Sequence, residues 1–224
     1  MIYIICLLMI ATPERQQDRA VALLEKRGMA RLREFIAEGI TPATISRMAK
    51  KRMVLQLSRG LYQLPDAPLD ANHSLAEAAK LVPNGVICLR SALAFHELTD
   101  DVPAHVWVAI GLRDWRPRIT NPLIRIVGFP RKVFKTESGK KTHKIERVSV
   151  SIYEPAKTIA DLFFYAFWVQ RRNYAKIDIT LPIRGMKEAL RLRKATPAEI
   201  AHYAAQAGIW EKVQPYLEAL TVDA

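Results

Sequence analysis

Apolar positions recur at helical spacing three times near the start of the chain, then the period shortens to that of strands. Ten almost continuous apolar residues, Met1–Ile10, come first. Thr12-Pro13-Glu14 then has the order of a helix start: a capping hydroxyl, a proline at the first helical position and an acid in the first turn. Val21, Leu23 and Leu24 supply an apolar stripe, and Lys26-Arg27-Gly28 closes the helix with basic residues and a terminal glycine. Leu32, Phe35 and Ile36 stand at i, i+3, i+4 and predict a second helix over Ala30–Glu38, ended by Gly39. Thr41-Pro42 opens a third, running to about Arg52, with Ile45, Met48 and Ala49 as its apolar side. Val54–Leu57 and Leu61–Leu64 are β-prone runs separated by Ser58-Arg59-Gly60, which predicts a hairpin.

Pro65-Asp66-Ala67-Pro68-Leu69-Asp70 breaks this pattern and reads as a linker. Beyond it, helices are expected over Ser74–Leu81, Ser91–Leu98, Pro155–Val169, Leu181–Leu192, Pro197–Ala207 and Ile209–Leu220. Strands are expected over Gly85–Leu89, Val106–Ile110, Leu123–Val127 and Val148–Tyr153. The fold class is α/β (α+β): a winged helix-turn-helix at residues 12–65, a linker at 66–73, and a mixed α/β body at 74–224 with a helical C-terminus. Residues 1–11 form an apolar extension.

Composition sharpens this picture through the sign of the charge. In 224 residues, 34 Lys and Arg stand against 22 Asp and Glu, a net charge of +12. Cations that meet phosphates release condensed counterions, so this balance favours a polyanionic partner; a solvated positive surface is the plainer alternative. Cys6 and Cys88 sit in apolar surroundings without CxxC spacing, so neither a disulfide framework nor a zinc site is expected, and a reducing, cytoplasmic compartment is the simpler inference. The apolar run at the start lacks the basic residues that precede a signal sequence, and a bilayer span takes about 20 residues. It reads as an upstream translation start before Met9, an extra strand or a docking tail, and no membrane association is expected.

The chemistry of the first segment points to duplex DNA. The short turn Gly39-Ile40 joins the second and third helices, and the third sorts its residues by face. Ile45, Met48 and Ala49 point inward, while Thr44, Arg47 and Lys51 share another face, flanked by Ser46 and Lys50. A helix entering the major groove needs that division, an apolar back and hydrogen-bonding residues in front. Arg47 is the candidate for base readout, because a guanidinium can grip guanine O6 and N7 together. Lys50, Lys51 and Arg52 suit phosphates, although a solvated helix end would also carry them. Arg59 and Ser58 at the hairpin, Thr41 at the helix start, and Arg31 and Arg33 extend the expected surface.

The run from Gly39 to Val54, followed by Leu57-Ser-Arg-Gly-Leu-Tyr-Gln-Leu-Pro65, resembles the N-terminal module of the AbiEi family. The resemblance continues in Leu89-Arg-Ser-Ala-Leu-Ala-Phe-His-Glu-Leu-Thr-Asp100, Val106–Ile110, Val150-Ser-Ile-Tyr-Glu-Pro-Ala-Lys-Thr-Ile-Ala-Asp161 and Trp210–Leu220. The apolar first ten residues and the aromatic-rich stretch Phe163–Trp168 depart from it. The resemblance implies the antitoxin and transcriptional regulator of a type IV toxin-antitoxin system, which represses its own operon and counters a toxin of the nucleotidyltransferase type. It does not imply a stable complex with that toxin.

Two other readings stay open. A nucleic-acid-processing enzyme, such as a defence nuclease, would draw on His96, Glu97, Glu154 and Asp161. His96 lies beside Phe95 and Leu98, where a structural histidine is expected, and Glu154 precedes a helix that it can cap. No cluster of carboxylates with metal-binding spacing, no P-loop and no GxGxxG is present, so no catalytic site, metal or cofactor is expected. A plain regulator with a ligand-sensing body is the other reading. The body also carries a second basic stretch, Arg113, Arg116 and Arg118 around Trp115, then Arg131, Lys132 and Lys135, as a possible secondary nucleic-acid surface. Lys140, Lys141, Lys144 and Arg147 continue this stretch, and a mobile solvated loop is as good an explanation for Glu137–Lys144.

Overall fold

A computed structural model describes residues 15–134, 139–168 and 177–221, and divides the chain into two units with the boundary between Pro68 and Leu69. The helix start expected at Thr12-Pro13-Glu14, the apolar run Met1–Ile10 with Cys6, and Lys135 lie outside the described residues.

In the first unit, α1 (Gln16–Arg27) buries Ala20, Leu23 and Leu24. It stops at Gly28, whose φ of 71° lets its N–H turn back to the Leu24 carbonyl at 2.7 Å. β1 (Met29–Arg31) and α2 (Leu32–Ala37) follow, then α3 (Pro42–Lys50), β2 (Leu55–Ser58) and β3 (Leu61–Gln63). The three strands form an antiparallel sheet in the order β1-β3-β2. β1 corrects the expected helix start at Ala30. Met29 and Ala30 are both fully buried, and their backbone pairs with Gln63 and Tyr62 of the hairpin. A strand satisfies those buried amides from the open edge of β3, where a helix start would have left them without partners. The core joins Leu24, Phe35, Ile40, Ile45, Met48 and Val54, with Phe35 edge-on to Tyr62 at 6.0 Å. Arg27 clamps the end of α1 to α2 through Glu34 at 2.8 Å and Glu38 at 3.3 Å.

The second unit runs α4 (His73–Leu81), β4 (Val86–Ile87), α5 (Leu89–Phe95), β5 (Val106–Gly111), β6 (Ile124–Phe129), α6 (Arg131–Phe134), β7 (Lys140–Ile145) and β8 (Val148–Tyr153). Four helices close it: α7 (Pro155–Trp168), α8 (Thr180–Arg191), α9 (Pro197–Gln206) and α10 (Trp210–Thr221). The sheet order is β6-β5-β4-β8-β7, with β5/β6 and β4/β8 parallel and β4/β5 and β7/β8 antiparallel. Its core draws on Trp107, Phe129, Tyr153, Ile159, Phe163, Met186, Ile200 and Val213, so that sheet and closing helices share one apolar interior. A Cβ on Gly185 would come within 2.8 Å of Leu93, which is what allows α8 so close to α5.

Lys140–Ile145 is not the loop that is one of the two explanations for this stretch. It is the edge strand β7, in register with Val148–Tyr153. Its side chains alternate too weakly to predict a strand, since Lys140, Lys141, Thr142 and Lys144 are exposed and only Ile145 is buried. The pairing comes from the backbone of β8, and lysines on an edge strand discourage pairing with a further chain.

Candidate nucleic-acid interface

Thr41 caps α3: its Oγ1 accepts from the Thr44 N–H at 3.3 Å, and Pro42 follows at the first helical position. The inward side of α3 is Thr44, Ile45 and Met48, and the outward side carries Ala43, Ser46, Arg47 and Lys50. Lys51 and Arg52 are exposed just past the helix, where Arg52 takes φ 57° and turns the chain toward β2. Among the described residues, Arg33, Arg47, Lys50, Lys51, Arg52 and Arg59 make no ion pair with a carboxylate. Cations held on one small unit without counter-charges are free to meet phosphates.

Thr44 departs from the expected set. Helical spacing puts it on the face of Arg47 and Lys51, yet only 4% of it is exposed. Its Oγ1 donates to Gln16 Oε1 at 2.8 Å, and the same Gln16 oxygen accepts from the Thr41 N–H at 3.1 Å and Thr41 Oγ1 at 3.2 Å. Gln16 comes from the start of α1, so a residue 28 positions away covers Thr44. The side chain ties two helix starts together instead of facing outward. No local signal marks Gln16, because nothing in the sequence near either residue reports that the two helix starts meet. With Arg15, Gln17 and Arg47 these residues line a recess of about 340 Å3. Arg47 itself rests lightly on its own helix, with contacts of 3.4 Å to the Ala43 carbonyl and to Thr44 Oγ1. Such long contacts are weak and release the guanidinium at small cost.

Ser58 departs as well: its Oγ is buried and has no hydrogen-bond partner, at a bulge between Gln56 and Ser58. The hairpin turn is Arg59-Gly60, with Gly60 at φ 73° and its carbonyl accepting from the Leu32 N–H at 2.8 Å. Because Arg31 and Ser58 are both paired to Leu61, the sheet brings Arg31 and the exposed Arg59 to the same end. Arg31 is half-buried; burial and then the neighbouring Arg33 lower its pKa, while Glu34 opposes this. Arg33 is exposed on α2.

The polar candidates of the second unit are placed apart. His96 Nε2 lies 2.7 Å from the Tyr153 carbonyl and its pKa is lowered, first by burial. Glu97 is exposed and pairs with Lys194 at 2.9 Å. Asp161 is completely buried against Lys157, itself 3% exposed, and the ammonium also lies 4.6 Å from the Tyr153 ring. One Asp161 oxygen and the Tyr153 hydroxyl are buried without partners. Burial raises the Asp161 pKa to about 6 against the pull of Lys157. Among the described residues, no group of three or more His, Cys, Asp or Glu is placed to hold a metal ion. Of the second basic stretch, Arg113 and Arg118 are exposed beside Trp115, which is 82% exposed, while the Arg116 guanidinium lies over Gly128 of the sheet. Arg131 and Lys132 open α6. Among the described residues, no helix is long and apolar enough to cross a membrane.

Helix, strand, two further helices and a hairpin, with an unpaired basic face on the last helix, define a winged helix-turn-helix of the kind found in DNA-binding transcriptional regulators. The family described as transcriptional regulator, AbiEi antitoxin, has a model that matches residues 18–65, from within α1 to just past the hairpin. That similarity lies within the first unit and ends before the second unit begins. No match to a curated protein is found.

Proposed function

We propose that the chain is a sequence-specific autorepressor that acts as the antitoxin of a type IV toxin-antitoxin system in the cytoplasm. The observation that carries the DNA-binding part is the division of α3. Ile45 and Met48 anchor it to the core, while Ser46, Arg47 and Lys50 stand outward with no carboxylate to neutralise them. With α3 in the major groove of its own operator, Arg47 reads a base edge and Lys50, Lys51 and Arg52 hold phosphates. Arg59, with Arg31 and Arg33 near it, meets the flanking backbone or minor groove. The second unit carries antitoxicity against a nucleotidyltransferase-type toxin and has no catalytic role.

Footprinting on the region upstream of its own gene tests the first part, with a reporter for repression. Protection of a discrete site by the full chain, lost in Arg47→Ala, is the expected outcome; uniform protection of unrelated DNA would overturn sequence specificity. Growth rescue on co-expression with a nucleotidyltransferase-type toxin encoded beside it tests the second, and the absence of such a gene would count against the antitoxin role. Plasmid or RNA cleavage abolished by Asp161→Asn or Glu154→Gln would replace the antitoxin role with a nuclease.

A further inference from the structure

Two arginines in the second unit line one pocket, and neither is tied to the fold by a hydrogen bond or an ion pair among the described residues. The pocket has a volume of about 430 Å3, and Arg90, Arg125, His105, Thr99 and Asp101 supply its polar wall. Arg90 lies in the first turn of α5 and Arg125 on β6, from chain segments 35 positions apart. Neither guanidinium makes a hydrogen bond or ion pair among the described residues. Arg125 is held by another device: its Cζ sits 5.0 Å over the ring of Trp107, which is itself only 4% exposed. That contact orients the guanidinium and leaves its N–H groups free.

Arg90 is held from beneath. The preceding Leu89 is fully buried at φ 48°, a left-handed conformation costly for a branched residue. The following Ser91 is clasped to the opposite wall: its Oγ accepts from the Trp107 N–H at 2.9 Å and donates to the His105 carbonyl at 3.4 Å. Strain on one side and a buried hydroxyl on the other fix the backbone that presents Arg90. The clasp also fixes the segment that carries His105. Against these cations the lining offers one carboxylate, Asp101.

We propose that this pocket binds a nucleotide, with Arg90 and Arg125 taking its phosphate. The planar fork of a guanidinium matches phosphate geometry, and two of them line this one pocket. The volume lies in the range of small-ligand sites and exceeds what a bare anion fills. Leu93, Val102, Pro103, Ala104 and Leu181 line the remainder, a surface suited to a sugar and base. The site lies wholly within the second unit and stands apart from the DNA-binding reading.

Calorimetric titration of the full chain tests it, with AMP, adenosine and inorganic phosphate as probes. AMP is expected to bind at least tenfold tighter than either of the others. Arg90→Gln and Arg125→Gln should each weaken AMP at least tenfold with unchanged circular dichroism and melting. Arg193→Gln, which removes the same charge from an exposed position just past α8, should leave it unaltered. A 5′-phosphorylated oligoribonucleotide, beside its 5′-hydroxyl form, distinguishes the end of a strand from a free nucleotide as the source of the phosphate. Equal binding of AMP and adenosine, or an equal loss in Arg193→Gln, would overturn the phosphate site. Phosphate binding as tightly as AMP would overturn the nucleotide. Should Arg90→Gln melt early, Arg125→Lys keeps the charge and removes the planar fork, and unchanged AMP affinity in that variant would equally overturn the proposal.

Discussion

The two units place their charge in opposite ways. In the first, Arg47, Lys50, Lys51, Arg52 and Arg59 stand at the surface with no carboxylate partner. In the second, the most conspicuous pair, Lys157 and Asp161, is sealed inside among Tyr153, Phe129 and Cys88. An unpaired exposed cation costs the fold little and remains available to a polyanion. A buried ion pair gives up hydration for one partner, and its first consequence is that neither member can be removed alone. Charge in the first unit therefore speaks about binding, and charge inside the second about stability.

The largest test of this contrast is Asp161→Ala. It strands the Lys157 ammonium inside and should cost about 3–5 kcal/mol in urea unfolding, while operator affinity of the folded protein stays unchanged. A loss below about 1 kcal/mol would mean that the pair contributes far less than its burial implies.

Next comes pH. The folded Asp161 pKa of about 6 lies above its ordinary 3.8, so the folded state holds this proton more tightly than the unfolded chain does. The associated stability is present below about pH 4 and is lost as pH rises to about 6, by up to about 3 kcal/mol. Asp161→Asn keeps an acceptor for Lys157 and removes the titration. Melting curves of the two proteins between pH 4 and 7 should therefore differ in slope; parallel curves would refute the assignment.

Smaller effects belong to the first unit. Arg47→Ala should cost about 1–3 kcal/mol of operator binding and relax specificity at one base position without altering the melt. Thr44→Val should do the reverse, lowering stability by about 1 kcal/mol through loss of the Gln16 link and leaving base preference intact. If Thr44→Val changes base preference, its burial does not persist on DNA. The smallest effect is expected for Lys50→Ala, a general weakening with the salt dependence reduced by about one phosphate contact, seen in titrations at several ionic strengths.

Much of the fold was legible because local signals were strong. Thr41-Pro42 caps α3 as its sequence predicts, Gly28 ends α1, and Val148–Tyr153 is the strand its β-branched run implies. The hairpin around Arg59-Gly60 follows from the turn residues, and the His96 contact with Tyr153 fits the structural role its apolar neighbours suggested. What failed shares one cause. Met29–Arg31 and Lys140–Ile145 are strands because a neighbouring strand offers backbone partners, and neither segment carries a periodic pattern of its own. Arg90 and Arg125 went unmarked for the same reason, since each is an ordinary arginine until the sheet brings them to one pocket.

By itself the sequence determined the order of elements, the apolar backs of the helices and the sign of the surface charge, because these follow from spacing and composition. Tertiary structure alone decided which polar groups are spent and which are free. Thr44 and Ser58 share the chemistry of Ser46, yet burial takes them inward and leaves Ser46 exposed. The physical reason is that a side chain's availability depends on what packs over it, and in Thr44 that neighbour is Gln16, 28 residues away.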